Sequence, residues 1–173
     1  MQKPHFSVDI TRTPAVCAIG ETIGERNIAE RAIPVLSCEG ACIRGEIARL
    51  AAHELARQPG FRRACHGELF SVPHSAMARW VAEASEIVVI DGCHLHCHAR
   101  IVEHLAEPER LRTFDAFARH RRYLDRFDID SVPEQERAAV ARDVADWVRG
   151  RLEQPLSDES DPGPCSVGGS CPS

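Results

Sequence analysis

Residues 93–98 read Cys-His-Leu-His-Cys-His and follow directly on the apolar run Ile87–Ile90 and the dipeptide Asp91-Gly92. Five side chains able to bind a soft or borderline metal ion thus fall within six positions. A second cysteine pair at the same four-residue separation, Cys38 and Cys42, follows another apolar run in VLSCEGACIRGE (35–46). Thiolate and imidazole are the usual ligands of zinc, and four thiolates also hold iron–sulfur clusters. The other four cysteines are Cys17, Cys65 and the pair Cys165/Cys171, making eight in 173 residues. In a reducing compartment that number points to metal or redox chemistry rather than a disulfide framework.

Such ligands need elements to aim them. The runs 32–37 and 87–90 read as strands, the second β-branched throughout, as in a strand covered on both faces. Ile43, Ile47, Leu50, Ala51 and Leu55 recur at helical spacing over 43–57. Residues 73–85 do so through Met77, Trp80, Val81 and Ala84, with Pro73 in the first turn. A helix is expected over 94–105. From 32 to 106 the order is strand, helix, helix, strand, helix, which predicts an α/β domain with a mainly parallel sheet flanked by helices. In such sheets functional groups gather at the carboxyl ends of the strands, where helix N-termini lower thiol pKa. On a helix, cysteines four apart would share a face.

The flanks are less regular. Residues 14–19 (PAVCAI) read as a strand, giving an N-terminal strand segment over 1–31. The stretch 109–128 fits either one arginine-rich helix or a strand near 111–117 followed by a loop. A last helix is expected over 134–152, with Ser131 as a candidate N-cap and Val140, Val144, Trp147, Val148 and Leu152 inward. The α/β domain proper would span 32–153. Residues 154–173, acidic and then rich in Gly, Pro and Ser, read as a disordered tail whose Cys165 and Cys171 could serve as a flexible thiol arm.

With this order of motifs the chain resembles the DGC-domain family, named after the tripeptide in IDGCHLHC and regarded as zinc-binding on the strength of its cysteines. The resemblance rests on SCEGACIRGEIA, the lone Cys65 in RRACHGEL, and Asp91-Gly92-Cys93 with Cys97, and it covers roughly 34–106. It implies Cys38, Cys42, Cys65, Cys93 and Cys97 as the ligand set, with Asp91 and Gly92 forming the turn that presents Cys93. Zinc is the expected ion and an iron–sulfur cluster the alternative. The role would be structural or one of metal or redox transfer, the latter requiring a protein partner. No reaction is implied. His94, His96 and His98 depart from the family pattern; they are read as solvent-facing, with replacement of a thiolate by imidazole as the alternative. Asp91 is read as fixing the turn, the alternative being that it orients a ligand.

A reading from another class uses Cys38 and Arg44, whose Cys-x5-Arg spacing is that of cysteine phosphatases and arsenate reductases. There a thiolate attacks an oxyanion that the arginine grips. Glu39 inside that loop is unfavourable, since its charge repels an oxyanion. Arg119, Arg121, Arg122 and Arg126 could form a site for an anionic partner, against the plainer reading of a solvated helix face.

A net charge of −5, with Lys3 the only lysine, gives no global attraction to nucleic acid or anionic membrane. No apolar run approaches the roughly 18 residues of a spanning helix. Met1–Arg12 holds no apolar signal core, so a cytoplasmic location is expected.

Overall fold

The computed structural model describes residues 13–154 together with residues 7 and 9–11. The tail that carries Cys165 and Cys171 lies outside the described residues. Four strands, β1 (Ile33–Ser37), β2 (Phe61–Arg63), β3 (Ile87–Asp91) and β4 (Leu111–Asp115), form one all-parallel sheet in the order β2-β1-β3-β4. Its helices are α1 (Ala18–Ala29), α2 (Ile43–Ala56), α3 (His66–Ser71), α4 (Ala76–Glu83), α5 (Cys97–Val102), α6 (Ala116–His120) and α7 (Glu134–Leu152). The protein is therefore of the α/β class that the alternation of elements predicts.

Side chains alternate across a strand, so each strand feeds two cores. Val35, Val88, Ile90 and Phe114 pack with α2 and α7 through Ile43, Ile47, Leu55, Val144 and Val148. Leu36, Ile87 and Val89 pack on the opposite face with Met77, Trp80 and Val81 of α4 and Ala99 and Val102 of α5. β3 is buried at all five positions, which explains its unbroken apolar run. Trp80 donates its indole N–H to the carbonyl of Ala32 at 2.7 Å, so the largest buried side chain has its polar atom satisfied. Among the described residues no helix is long and apolar enough to cross a membrane.

Several local expectations are corrected. The run 14–19 is not a strand. Cys17 caps α1 by accepting the Gly20 N–H on its sulfur, and Val16 and Ile19 are exposed rather than packed. The helix expected over 94–105 begins only at Cys97, because His96 adopts a left-handed backbone (φ 48°) that no helix continues through. Helix α4 starts after Pro73, with Ser75 as N-cap, and short α3 precedes it. Ser131 does not cap α7; Pro133 occupies that position. Of the two readings of 109–128, the strand holds, as β4. β2 has three residues of which two are arginine, so it carries no apolar pattern to read.

Helix α1 lies against α4 at Gly24, where a Cβ would come within 2.4 Å of the backbone carbonyl carbon of Ala76. Backbone cannot yield as a flexible side chain does. Gly24→Ala is expected to cost roughly 1–3 kcal/mol as overpacking, seen as a lower urea midpoint with an unchanged slope. A neutral result would mean that α1 does not dock on α4 in solution.

Candidate metal centre

β1 and β3 are neighbours, but the chain leaves them on opposite faces, through α2 toward β2 and through α5 toward β4. Their carboxyl ends therefore open a crevice at the point where the strand order reverses. Cys38 follows β1 and Asp91 ends β3. The Cys38 N–H donates to the Ile90 carbonyl at 2.9 Å, extending the pairing of the strands to the lip of the crevice. Gly92 is required just beyond, since a Cβ there would lie 2.8 Å from the backbone of Arg44 and Gly45 in the first turn of α2.

Asp91 is only 1% exposed. Its two oxygens accept the backbone N–H groups of His98 (3.2 Å) and Ala99 (3.1 Å), so one carboxylate caps α5 from across the loop. It also faces the imidazoles of His96 and His98, with Nδ1 atoms at 3.8 and 3.7 Å. Burial alone would raise the Asp91 pKa. The contact with His98 and the two N–H donors reverse this and hold it below the ordinary carboxylate value.

One ligand atom each from Cys38, Asp91 and His98 lies within 4.8 Å of the others. Burial pushes the Cys38 thiol up, but the His98 imidazole and the N–H groups of Gly40 and Gly92 together bring it below its usual value. His98, beside both Asp91 and Cys38, is raised to about 9. His66 stands edge-on to His98, ring centroids 5.0 Å apart, and burial with the neighbouring His98 charge lowers its pKa to about 4. Three imidazole nitrogens here, His66 Nε2, His96 Nδ1 and His98 Nδ1, are buried without a hydrogen-bond partner. Buried polar atoms without partners are costly, and several beside one sulfur and one carboxylate are donors that an ion could use.

The five cysteines expected as ligands all lie in the segments leaving β1, β2 and β3, but only Cys38 belongs to this group of donors. Cys42 is the half-buried N-cap of α2, Cys65 the exposed N-cap of α3, and Cys97 the exposed first residue of α5. Cys93 is half-buried, and burial raises its thiol pKa. Neither pair shares a helix face, because Cys38, Cys42 and Cys93 all precede their helices. His98, read from sequence as solvent-facing, instead contacts Asp91 and Cys38. Asp91 does more than fix a turn. His66 carried no periodic signal; its adjacency to Cys65 at a helix start was the only hint. Arg44 does not serve Cys38: its guanidinium stacks 4.3 Å over the Phe117 ring and donates to the Leu124 carbonyl at 3.0 Å. Cys38 thus lacks the arginine that a phosphatase loop requires. Glu39 is held by Arg63 at 2.9 Å.

Asp91→Ala would leave two N–H groups of α5 without partners and the imidazoles of His96 and His98 without their carboxylate. A loss of about 1–3 kcal/mol is expected for unsatisfied buried groups, with faster amide exchange at 98 and 99. Unchanged exchange there would show that Asp91 does not hold α5.

No curated protein and no solved structure matches the chain significantly. A family model does. The match runs from Pro34, at the second residue of β1, to Asp115, at the end of β4, and so takes in β1 to β4 and every residue of the site just described. It is a little under half of the 173 residues and leaves α1 and α7 outside. Over residues 34–115 the chain matches the DGC domain, the family that its cysteine pattern resembles.

Proposed function

We propose that the protein binds a divalent metal ion, zinc in the first instance, in the crevice between β1 and β3 and holds it exchangeably. The domain and the cluster of donors fit a metal-binding role. The observation that carries the finer reading is the convergence of Cys38, Asp91 and His98 amid three unpartnered imidazole nitrogens. A sulfur, an oxygen and one or more nitrogens form a mixed set that suits zinc, whereas iron–sulfur clusters call for more thiolates than this group holds. His66 and His96 are the nearest further nitrogens able to complete it. Both faces of the sheet carry continuous apolar cores, so folding does not depend on the ion. Cys42, Cys93 and Cys97 remain around the site as soft donors to which an ion could pass. These features favour transfer or delivery over a locked structural site.

Titration of the chelator-stripped full chain with zinc against a chromogenic competitor tests this. Wild type should take up one equivalent. Cys38→Ser and His98→Ala should each weaken binding by more than the roughly 10–100-fold that loss of an outer-shell partner costs, and the double variant Cys93→Ser/Cys97→Ser by clearly less. If the double variant abolishes binding while Cys38→Ser does not, the ion sits among the outer thiolates and the mixed set is wrong. The stripped protein should keep its far-ultraviolet circular dichroism; unfolding on zinc removal would establish a structural role instead.

A further inference from the structure

Between α6 and α7 lies a polar cavity of about 370 Å³, lined by Arg119, His120, Arg122, Ala139, Val140 and Asp143. It belongs to the arginine-rich stretch that the metal centre leaves unused. The backbone N–H of Arg122 donates to His120 Nδ1 at 3.0 Å, which assigns the imidazole proton to Nε2. His120 Nε2 is buried and has no partner. His120, one of the residues lining the cavity, thus carries a neutral Nε2–H donor that nothing among the described residues receives.

Positive charge surrounds that donor. Arg122 and Arg44 form no ion pair among the described residues. The one carboxylate lining the cavity, Asp143, is engaged through both oxygens by Arg119, at 3.0 Å from Nε and 2.7 Å from Nη2. That fork neutralises the charge that would otherwise repel an anion. Arg121 and Tyr123, on either side of Arg122, both take left-handed backbones (φ 48° and 61°). Such conformations are uncommon for these residue types and persist only where the surroundings enforce them. Here they turn the chain so that His120 and Arg122 share one cavity. Ala139 and Val140 supply an apolar floor.

We propose that this cavity is a binding site for a phosphoryl group, either free inorganic phosphate or a small phosphomonoester, held by His120 Nε2–H and the Arg122 guanidinium. Planar guanidinium and a neutral N–H donor match a tetrahedral oxyanion, and the apolar floor would accept the organic part of an ester. The groups that face His120 are Arg122 on its own loop, Arg44 from α2, Asp143 from α7, and the rings of Phe117 and Tyr123. Burial, then the charges of Arg122 and Arg44, hold His120 to about 4 in the empty protein. A bound anion opposes those charges and so raises that value, and His120 in turn adds to binding only where it takes up its proton, as pH falls through roughly 5 to 4.

The test is a histidine-ring NMR titration of the full chain with inorganic phosphate and, separately, phenyl phosphate. Saturable shifts are expected at His120 and not at His66 or His98, with the His120 midpoint raised by about one unit, a tenfold preference for the protonated form. Arg122→Ala, an exposed substitution expected to fold normally, should weaken binding at least tenfold. Tighter binding of phenyl phosphate would identify an ester as the ligand, and equal binding the free anion. No shift at His120, or shifts that Arg122→Ala leaves unchanged, would overturn the proposal.

Discussion

Asp91 is a carboxylate buried at the end of a strand that is itself wholly buried, and a charge in that place must be compensated. The compensation shapes everything around it. Two backbone N–H groups of α5 turn toward it, which fixes where that helix begins and forces the loop from Cys93 to His96 to close in a few residues. The left-handed His96 is the conformational consequence of that closure. Two imidazoles then come to rest against the same carboxylate, and His98 reaches from there to the sulfur of Cys38.

The sheet supplies the other half of the arrangement. Because β1 and β3 are paired while their outgoing connections diverge, the loops after them are the two that can meet without a helix between them. Gly92 lets the loop after β3 sit directly on the first turn of α2. Any larger residue there would collide with the backbone of Arg44 and Gly45. The apolar cores on both faces hold the strands, and the donors stand on loops at their ends. Positional accuracy thus comes from burial, and chemical freedom from exposure.

Much of this frame was legible in the residues. Ile87–Ile90 announced a buried strand, the periodicity of 43–57 placed α2, and α7 spans the expected 134–152. Two features escaped for physical reasons. PAVCAI is apolar, yet α1 is set by capping at Cys17 and by the close approach of Gly24 to α4, and neither leaves a periodic trace. At the site, spacing counts treated Cys93 and Cys97 as helix neighbours, whereas a carboxylate six positions upstream of Cys97 decides where the helix starts. A tertiary hydrogen bond of that kind is invisible to a local pattern. For the same reason the sequence pointed to five sulfurs, while the fold brings one of them together with a carboxylate and an imidazole.

The histidines also change what the cysteines can be. A tetrathiolate would hold zinc closed and largely inert, and the loops would then have had to bring four sulfurs within contact of one ion. Here the donors that converge are of three chemical kinds, and His66, with its pKa about 4, offers nitrogen without a proton to displace. The remaining thiols are distributed outward, from half-buried Cys93 and Cys42 to exposed Cys97 and Cys65. On the proposed reading this gradient gives an ion a mixed seat inside and softer donors toward solvent. On the same reading the two apolar cores hold the fold, so that the seat could be left empty without unfolding.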